Sequence, residues 1–445
     1  MVNIVYIHSH DTGRYVQPYG YSIPTPAIQS LAEEGTLFRK AFCANPTCSP
    51  SRASLLTGQW PHSCGMGGLV NRGWSLPNPQ RLLPNFLREH GYATVRAGIQ
   101  HVVKNPDEGG YSRILEGEKG DWNTALRATS FLKEQHDQPF FLDVGFFATH
   151  RLGDGFSNSP KNTIPTNPNY VRPPAPLPDD IMTRRDMAAY IDAARTLDNL
   201  IGTVIQTLDA QNFADNTLVI CTTDHGIAFP RMKCNLTDHG MGVMLILRGP
   251  GGFKGGNVID GLVSHIDLFP TVCELAELRF PDWLQGVSML PLVNGADKVR
   301  SEIFGEINYH VCYEPQRAVR TEGWKYILRL HDRARPVLPD CDNGLSKTFL
   351  LKNDWELYEE SKERLYNLVL DPNEVQNLVN LKEYEQKLGE MRALMLKWRK
   401  ETGDPLIKEK LFDPPPSAQI VDSNARSPSE AKVMSARSFF GLENS

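Results

Sequence analysis

The chain has 445 residues, with 47 Lys and Arg against 52 Asp and Glu, a net charge of −5 and 40% hydrophobic residues. That length supports a large core, organised as more than one domain or as one large domain with a subdomain. The charge balance excludes the basic footprint of a nucleic-acid binder, and polar residues break every apolar run before membrane-spanning length.

The first predicted element is a buried parallel strand over residues 3–9. Residues 2–7 are too short for a signal-peptide core and lack its basic flank and cleavage site. The expected location is therefore cytoplasmic, or periplasmic or secreted if a presequence has been removed. A helix is predicted at 25–34, capped by Thr25, with Pro26 at its first position and Gly35 after its end. Residues 82–90 read as a helix stopped by Gly91, and 92–97 as a strand. Helix 121–135 precedes the apolar strand 140–146. The long amphipathic helix 184–211 carries Met187, Tyr190, Ile191, Ala194, Leu197, Ile201 and Ile205 at helical spacing. Strands follow at 217–222 and 243–248. Alternating strands and helices predict an α/β fold, a large mostly parallel sheet flanked by helices.

Beyond residue 295 the pattern changes. Residues 303–307, 317–321 and 325–330 read as short antiparallel strands, the last two joined by a Glu322-Gly323 turn. A helix at 380–401, with Leu381, Tyr384, Leu388, Met391, Leu394 and Trp398 on one side, should pack on that smaller sheet. The expected division is an α/β domain at 1–295, an α+β subdomain at 296–404 and a Pro/Ser-rich tail at 405–445. Such a tail either wraps a surface or is partly disordered. Eight cysteines, at 43, 48, 64, 221, 234, 273, 312 and 341, show no zinc-like spacing and fit a reducing compartment.

Chemistry concentrates in three places. The run Cys48-Ser49-Pro50-Ser51-Arg52-Ala53-Ser54-Leu55-Leu56-Thr57-Gly58 reads as a helix with Pro50 in its first turn and Gly58 as its stop. Cys48 then lies at the helix N-terminus, where backbone N–H groups and the dipole favour an oxyanion. Arg52 is one turn on and offers a planar fork to an anion. The first strand ends in His8-Ser9-His10-Asp11-Thr12-Gly13, and strand 217–222 runs into Thr223-Asp224-His225-Gly226. Both clusters fall at C-terminal ends of predicted parallel strands, where open α/β sheets build their sites.

The Cys-x-Pro-x-Arg core resembles the signature of type I sulfatases of the alkaline-phosphatase-like superfamily, whose cysteine is oxidised to formylglycine. The resemblance implies a hydrated aldehyde at position 48 that attacks sulfur with one hydroxyl and expels sulfate by re-forming the aldehyde. It implies a metal held by His10, Asp11, Asp224, His225 and the Cys48-derived group, and a separate maturating enzyme, formylglycine-generating or anaerobic. Calcium is the family's usual ion and prefers oxygen ligands. Family members commonly have two acids where this chain has His10-Asp11, and two imidazoles shift preference toward manganese or zinc. Calcium survives if both histidines turn aside.

Further segments follow in sulfatase order. Gly98-Ile99-Gln100-His101 resembles the family's Gly-Lys-x-His, which gives His101 a place on the hydrate. Ile99 replaces the family lysine, so one sulfate-binding cation is missing or Lys104 supplies it. His150, in Phe146-Phe147-Ala148-Thr149-His150-Arg151, falls on a leaving-group histidine, and Lys233 on a sulfate-binding cation. The resemblance covers roughly residues 3–380 and is nearest to N-sulfoglucosamine sulfohydrolases, through residues 224–230 and 309–320. It implies Arg151, Tyr309, His310 and Tyr313 as sugar contacts, whereas Ala148 departs from an expected substrate-contacting acid. The implied substrate is a small sulfated sugar, glucosamine-based and heparan-derived, carrying a sulfate ester or a sulfamate. A phosphonate monoester or phosphodiester hydrolase of the same superfamily is the alternative. Neither nucleic acid nor membrane is an expected partner, and homo-oligomerisation is left open.

Overall fold

The computed structural model describes residues 2–157 and 164–442. Its centre is an eight-stranded sheet. In chain order the strands are β1 (Asn3–Ser9), β2 (Thr36–Phe38), β3 (Ala93–Gly98), β4 (Arg113–Ile114), β5 (Phe140–Gly145), β6 (Thr217–Thr223), β7 (Leu245–Arg248) and β8 (Asn257–Ile259). Their spatial order is β8-β2-β7-β6-β1-β5-β3-β4. All neighbours are parallel except around β7, which runs antiparallel to both β2 and β6.

The period-2 alternation of side chains sorts the strands onto two cores. Val5, Ile7, Val95, Leu142, Val144 and Val219 pack under the helices α1 (Pro26–Glu34), α4 (Asp121–Leu132) and α5 (Ile181–Ala210). Ile4, Tyr6, Leu218, Ile220 and Leu245 face the other way, toward α2 (Cys48–Thr57) and α3 (Leu83–Glu89). Each buried side chain of this size stabilises by about 1.5–3 kcal/mol relative to exposure, so the central strands position the loops at their ends rigidly.

Local details differ from the sequence reading where a tertiary partner competes. Thr25 does not cap α1; its hydroxyl accepts from the Gln17 N–H at 2.8 Å. Asp198 of α5 does the capping from a distance, accepting the N–H groups of Ala27 and Ile28 at 3.1 and 2.8 Å. The helix predicted for the subdomain, α6 (Glu385–Glu401), starts later than expected because residues 382–384 form a separate 3-10 turn. Leu381 is correspondingly 41% exposed rather than packed.

A second sheet of β9 (Glu302–Tyr309), β10 (Tyr313–Thr321), β11 (Trp324–Arg329) and β12 (Glu363–Asn367) is antiparallel throughout. Leu388, Met391, Met395 and Trp398 of α6 pack on its Phe304, Val319, Tyr326 and Leu365. Arg317 joins this layer to its surroundings. Its guanidinium meets Asp404 in a two-pronged contact at 2.8 and 2.9 Å, and lies 3.4 Å from Glu306. Glu306 in turn accepts from the His62 backbone and ring, which ties this sheet to the segment that follows α2.

Burial alone would raise the Asp404 pKa, but Arg317 and Arg399 outweigh it and hold the carboxyl below its usual range. Arg317→Met is therefore expected to cost about 3–5 kcal/mol, because it strands buried carboxylates. A depressed folded-state pKa gives stability that is present above the unfolded value and lost as pH falls. Thermal unfolding should accordingly show the gap between wild type and variant narrowing below about pH 4.

The described part of the tail wraps the molecule. Phe412 inserts beside Trp74, with ring centroids 5.9 Å apart, and the hairpin β13 (Gln419–Val421) and β14 (Val433–Ser435) follows. Ala418, Ile420, Val421 and Ala436 are buried, and Ser417 donates to the Gly73 carbonyl at 2.5 Å.

Candidate active site

α2 begins at Cys48 and is buried along its whole length. It ends at Gly58, whose φ of +66° and tight approach to Leu284 suit only glycine. Its polar residues are tied into the fold. Ser51 donates to the Asp224 carbonyl at 2.5 Å, and Ser49 accepts the Val70 N–H at 3.1 Å. This fixes Cys48 against the C-terminal ends of β1 and β6.

There the two strand-end clusters meet. Asp224 Oδ1 accepts the N–H groups of Asp11 and His225 at 2.8 and 2.9 Å, locking the turns together. Ligand atoms of His10, Asp11, Cys48, Asp224 and His225 all lie within 4.8 Å of one another, and all five residues are buried. His10 Nδ1 is 3.0 Å from Asp11 and 3.1 Å from Asp224. His225 Nδ1 lies 3.0 Å from the Gly226 carbonyl, the donor side of the ring. Its Nε2 lone pair then faces Cys48 Sγ at 3.4 Å, Asp11 at 3.3 Å and Asp224 at 3.6 Å.

The electrostatics suit a cation. Burial would raise both carboxyl pKa values, but Lys233 and the neighbouring imidazoles hold Asp11 well below its usual range. His225, His10 and Arg52 do the same for Asp224. Burial pushes His10 down to about 3 and lowers His225 as well, so both rings are neutral near pH 7. Two carboxylates, an imidazole lone pair and a sulfur thus converge as acceptors, which fits a divalent metal. Burial, reinforced by Asp11 and Asp224, pushes the Cys48 thiol well above its usual pKa although Lys233 opposes. An unmodified Cys48 is therefore protonated and a poor nucleophile.

Two cations flank the cluster. Arg52 donates to the Ser9 carbonyl at 2.8 Å and to Asp224 at 3.0 Å, and contacts the His8 ring, whose other nitrogen meets Asp143 at 2.8 Å. Lys233 bridges Asp11 and Asp342, each at 3.0 Å. His101 and His150 complete the rim, with rings 5.9 and 4.6 Å from His10. His101 takes a φ of +55°, and its buried Nδ1 has no partner. All three histidines line a cavity of about 970 Å³ together with Ile99, Lys104, Phe147 and residues 416–419 of the tail.

Some sequence-predicted contacts do not reach this cavity. Arg151 is committed to the fold: it donates to Asp186 at 2.8 Å and to the Ala228 carbonyl at 2.6 Å, and sits 4.3 Å over the Phe156 ring. Tyr309 is buried against Trp74 and donates to the Phe412 carbonyl at 2.8 Å. Tyr313 accepts the Phe412 N–H at 3.0 Å. Both tyrosines back the tail, and the tail in turn walls the cavity. His310 is buried 3.5 Å from Asp340 and does not line the cavity. Asp342, His8 and residues 416–419 are site features that sequence reasoning missed. Only His8 carried a signal, since it shares a strand face with Tyr6, toward α2.

Comparison with known proteins identifies the family. A sulfatase profile matches residues 2–278, and an N-sulphoglucosamine sulphohydrolase C-terminal profile matches residues 230–343. Human N-sulphoglucosamine sulphohydrolase is 30% identical over 446 residues, covering 87% of each chain. An ulvan-active sulfatase of Formosa agariphila is 26% identical over 90% of this chain and 75% of its own. Two solved structures share the fold. One, in complex with its substrate D-glucosamine-2-N,6-O-disulfate, has a TM-score of 0.70 at 19% identity over 92% of this chain and 100% of its own. The other, a 2-O glycosaminoglycan sulfatase, has a TM-score of 0.70 at 21% identity over 98% and 99%. The profile match and the human relative make the protein a sulfuric ester hydrolase. The chain belongs to the sulfatase family.

Proposed function

We propose that the protein removes sulfate from a small sulfated amino sugar of the glucosamine N-sulfate class. The observation that carries the reaction is the convergence of Cys48 at the α2 N-terminus with His10, Asp11, Asp224 and His225. The substrate class is supported by the profile match at residues 230–343 and by the human relative. Family maturation would convert Cys48 to a formylglycine hydrate that, with a divalent metal on the four strand-end residues, supplies the attacking oxygen.

The chain's own residues do the rest. Arg52 holds a guanidinium beside residue 48, and Lys233 adds a second buried cation between Asp11 and Asp342. Together they are placed to stabilise negative charge on sulfate oxygens. Burial pushes His101 down to about 4, so it is a neutral ring whose unpartnered Nδ1 can take a proton. His150 Nδ1 contacts the Arg151 carbonyl at 2.5 Å, which leaves Nε2 to exchange a proton with the leaving nitrogen or oxygen. Because both imidazoles turn into the ligand cluster, manganese or zinc is the metal we assign, in preference to calcium. The eight free cysteines support a reducing, cytoplasmic setting, where a maturating enzyme must act on Cys48.

The test is sulfate release from glucosamine N-sulfate, glucosamine 6-O-sulfate and a phosphonate monoester, using protein whose Cys48 conversion is verified by peptide mass. Preference for the N-sulfate is the expected result. Preference for the O-sulfate would keep the mechanism and discard the sulfamate, and turnover of the phosphonate alone would overturn the reaction.

A further inference from the structure

We propose that Arg96 and Lys104 form a second anion subsite in the substrate cavity, so that the preferred sugar carries another sulfate or a carboxylate besides the sulfate removed. The inference rests on the sulfatase reading and adds a substrate feature to it.

The cavity is lined by three histidines, by Arg96 and by Lys104, and among the described residues no carboxylate faces it. This is a locally basic pocket in a protein whose net charge is −5. The cations of the reacting end are a different pair. Arg52 and Lys233 are buried and already balanced, the first by Asp224 and the second by Asp11 and Asp342. Arg96 and Lys104 enter no ion pair among the described residues. The Arg96 guanidinium lies 5.4 Å over the Tyr111 ring, and its buried Nε has no hydrogen-bond partner. The acid beside it in the sheet, Asp143, is taken by His8 and by the Tyr111 hydroxyl. An arginine that lines the cavity without an ion-pair partner offers a planar fork that matches a sulfate or carboxylate edge.

The surroundings fit a sugar with a charged substituent. Lys104 is exposed on the loop that follows His101, where a flexible ammonium can reach an anion at the rim. The cavity lining also includes the neutral polar residues Asn71, Ser417, Gln419 and Ser435. These groups suit hydroxyls and add no competing charge. Ile99 separates the two cations in sequence and contributes an apolar surface to the same cavity.

The experiment compares kcat/KM for glucosamine N-sulfate with that for its 6-O-sulfated form and for N-sulfoglucosamine linked to a uronate. It uses the metal-loaded, Cys48-converted protein. The wild type should prefer one doubly anionic substrate by about 10-fold, the scale of one charge-assisted contact. The substrate preferred decides between sulfate and carboxylate. In Arg96→Gln/Lys104→Gln the ratio should fall toward one, mainly through KM. A ratio unchanged by the substitutions overturns the subsite, including the case in which all rates drop in proportion and the cations serve the reacting sulfate. Lys104→Gln alone, at an exposed position, keeps the test alive if the Arg96 change disturbs folding. If no substrate releases sulfate, the parent reading fails separately. Calorimetric binding of the disulfated sugar to the Cys48→Ala protein still decides the subsite: a several-fold loss with Lys104→Gln supports it, and equal affinity overturns it.

Discussion

Cys48→Ala is expected to leave a folded protein that releases sulfate on the order of 10⁴-fold more slowly or not at all, the scale seen when a covalent nucleophile is deleted. The fold should survive because the change removes one buried sulfur atom, a loss on the order of 1 kcal/mol. The Cys48 Sγ contact with His225 at 3.4 Å is lost, but the bonds that position α2 remain: Ser51 still holds the Asp224 carbonyl, and Ser49 still holds Val70. A sharper control is the unmodified wild type. Its thiol is pushed well above the usual range by burial and by the two nearby carboxylates. Protein lacking the conversion should therefore be as inactive as the alanine variant, across the neutral pH range and despite an intact thiol. Peptide mass and sulfate release on matched samples check this, and equal rates with and without conversion would remove the nucleophile from the argument.

Much of this site was legible because its signals are local. The apolar runs of β1 and β6 mark buried parallel strands, which puts His10-Asp11 and Asp224-His225 at the same, C-terminal end of the sheet. Pro50 and Gly58 bracket α2 in the same way. What stayed hidden depends on long-range pairing. Asp342 lies more than a hundred positions from Lys233 in the chain and has no motif of its own. Arg151 lies outside the cavity although its neighbour His150 lines it. Side chains alternate along extended backbone, and Arg151 turns the other way to meet Asp186. Tyr309 and Tyr313 sit one layer behind the cavity, against Phe412 of the tail. The tail that they support was readable only as proline-rich composition. Its seating requires Gly67 and Gly68, since a Cβ at either would lie 2.4 Å from Phe412 or 2.3 Å from Trp74.

Asp224→Asn should lose both the metal and the activity, for reasons that can be separated. The amide keeps an oxygen that can accept the Asp11 and His225 N–H groups, so the junction of β1 and β6 persists. It removes the negative charge that His10, His225 and Arg52 converge upon. Arg52, 2% exposed, is then a buried cation facing a neutral group, which itself repels a metal ion. Metal stabilisation of developing charge is worth several kcal/mol, so turnover should fall on the order of 10³-fold. Elemental analysis of purified protein reads the metal directly and independently of catalysis. The companion change His225→Asn distinguishes the ions. It replaces an imidazole by an oxygen donor at the same place, and should weaken retention of zinc or manganese while improving that of calcium. If the imidazoles are ligands, the two substitutions differ: the first empties the site and the second changes its selectivity. Full metal content and unchanged selectivity in both would mean that these strand ends hold no metal, and that Asp11 and Asp224 serve only to balance Lys233 and Arg52.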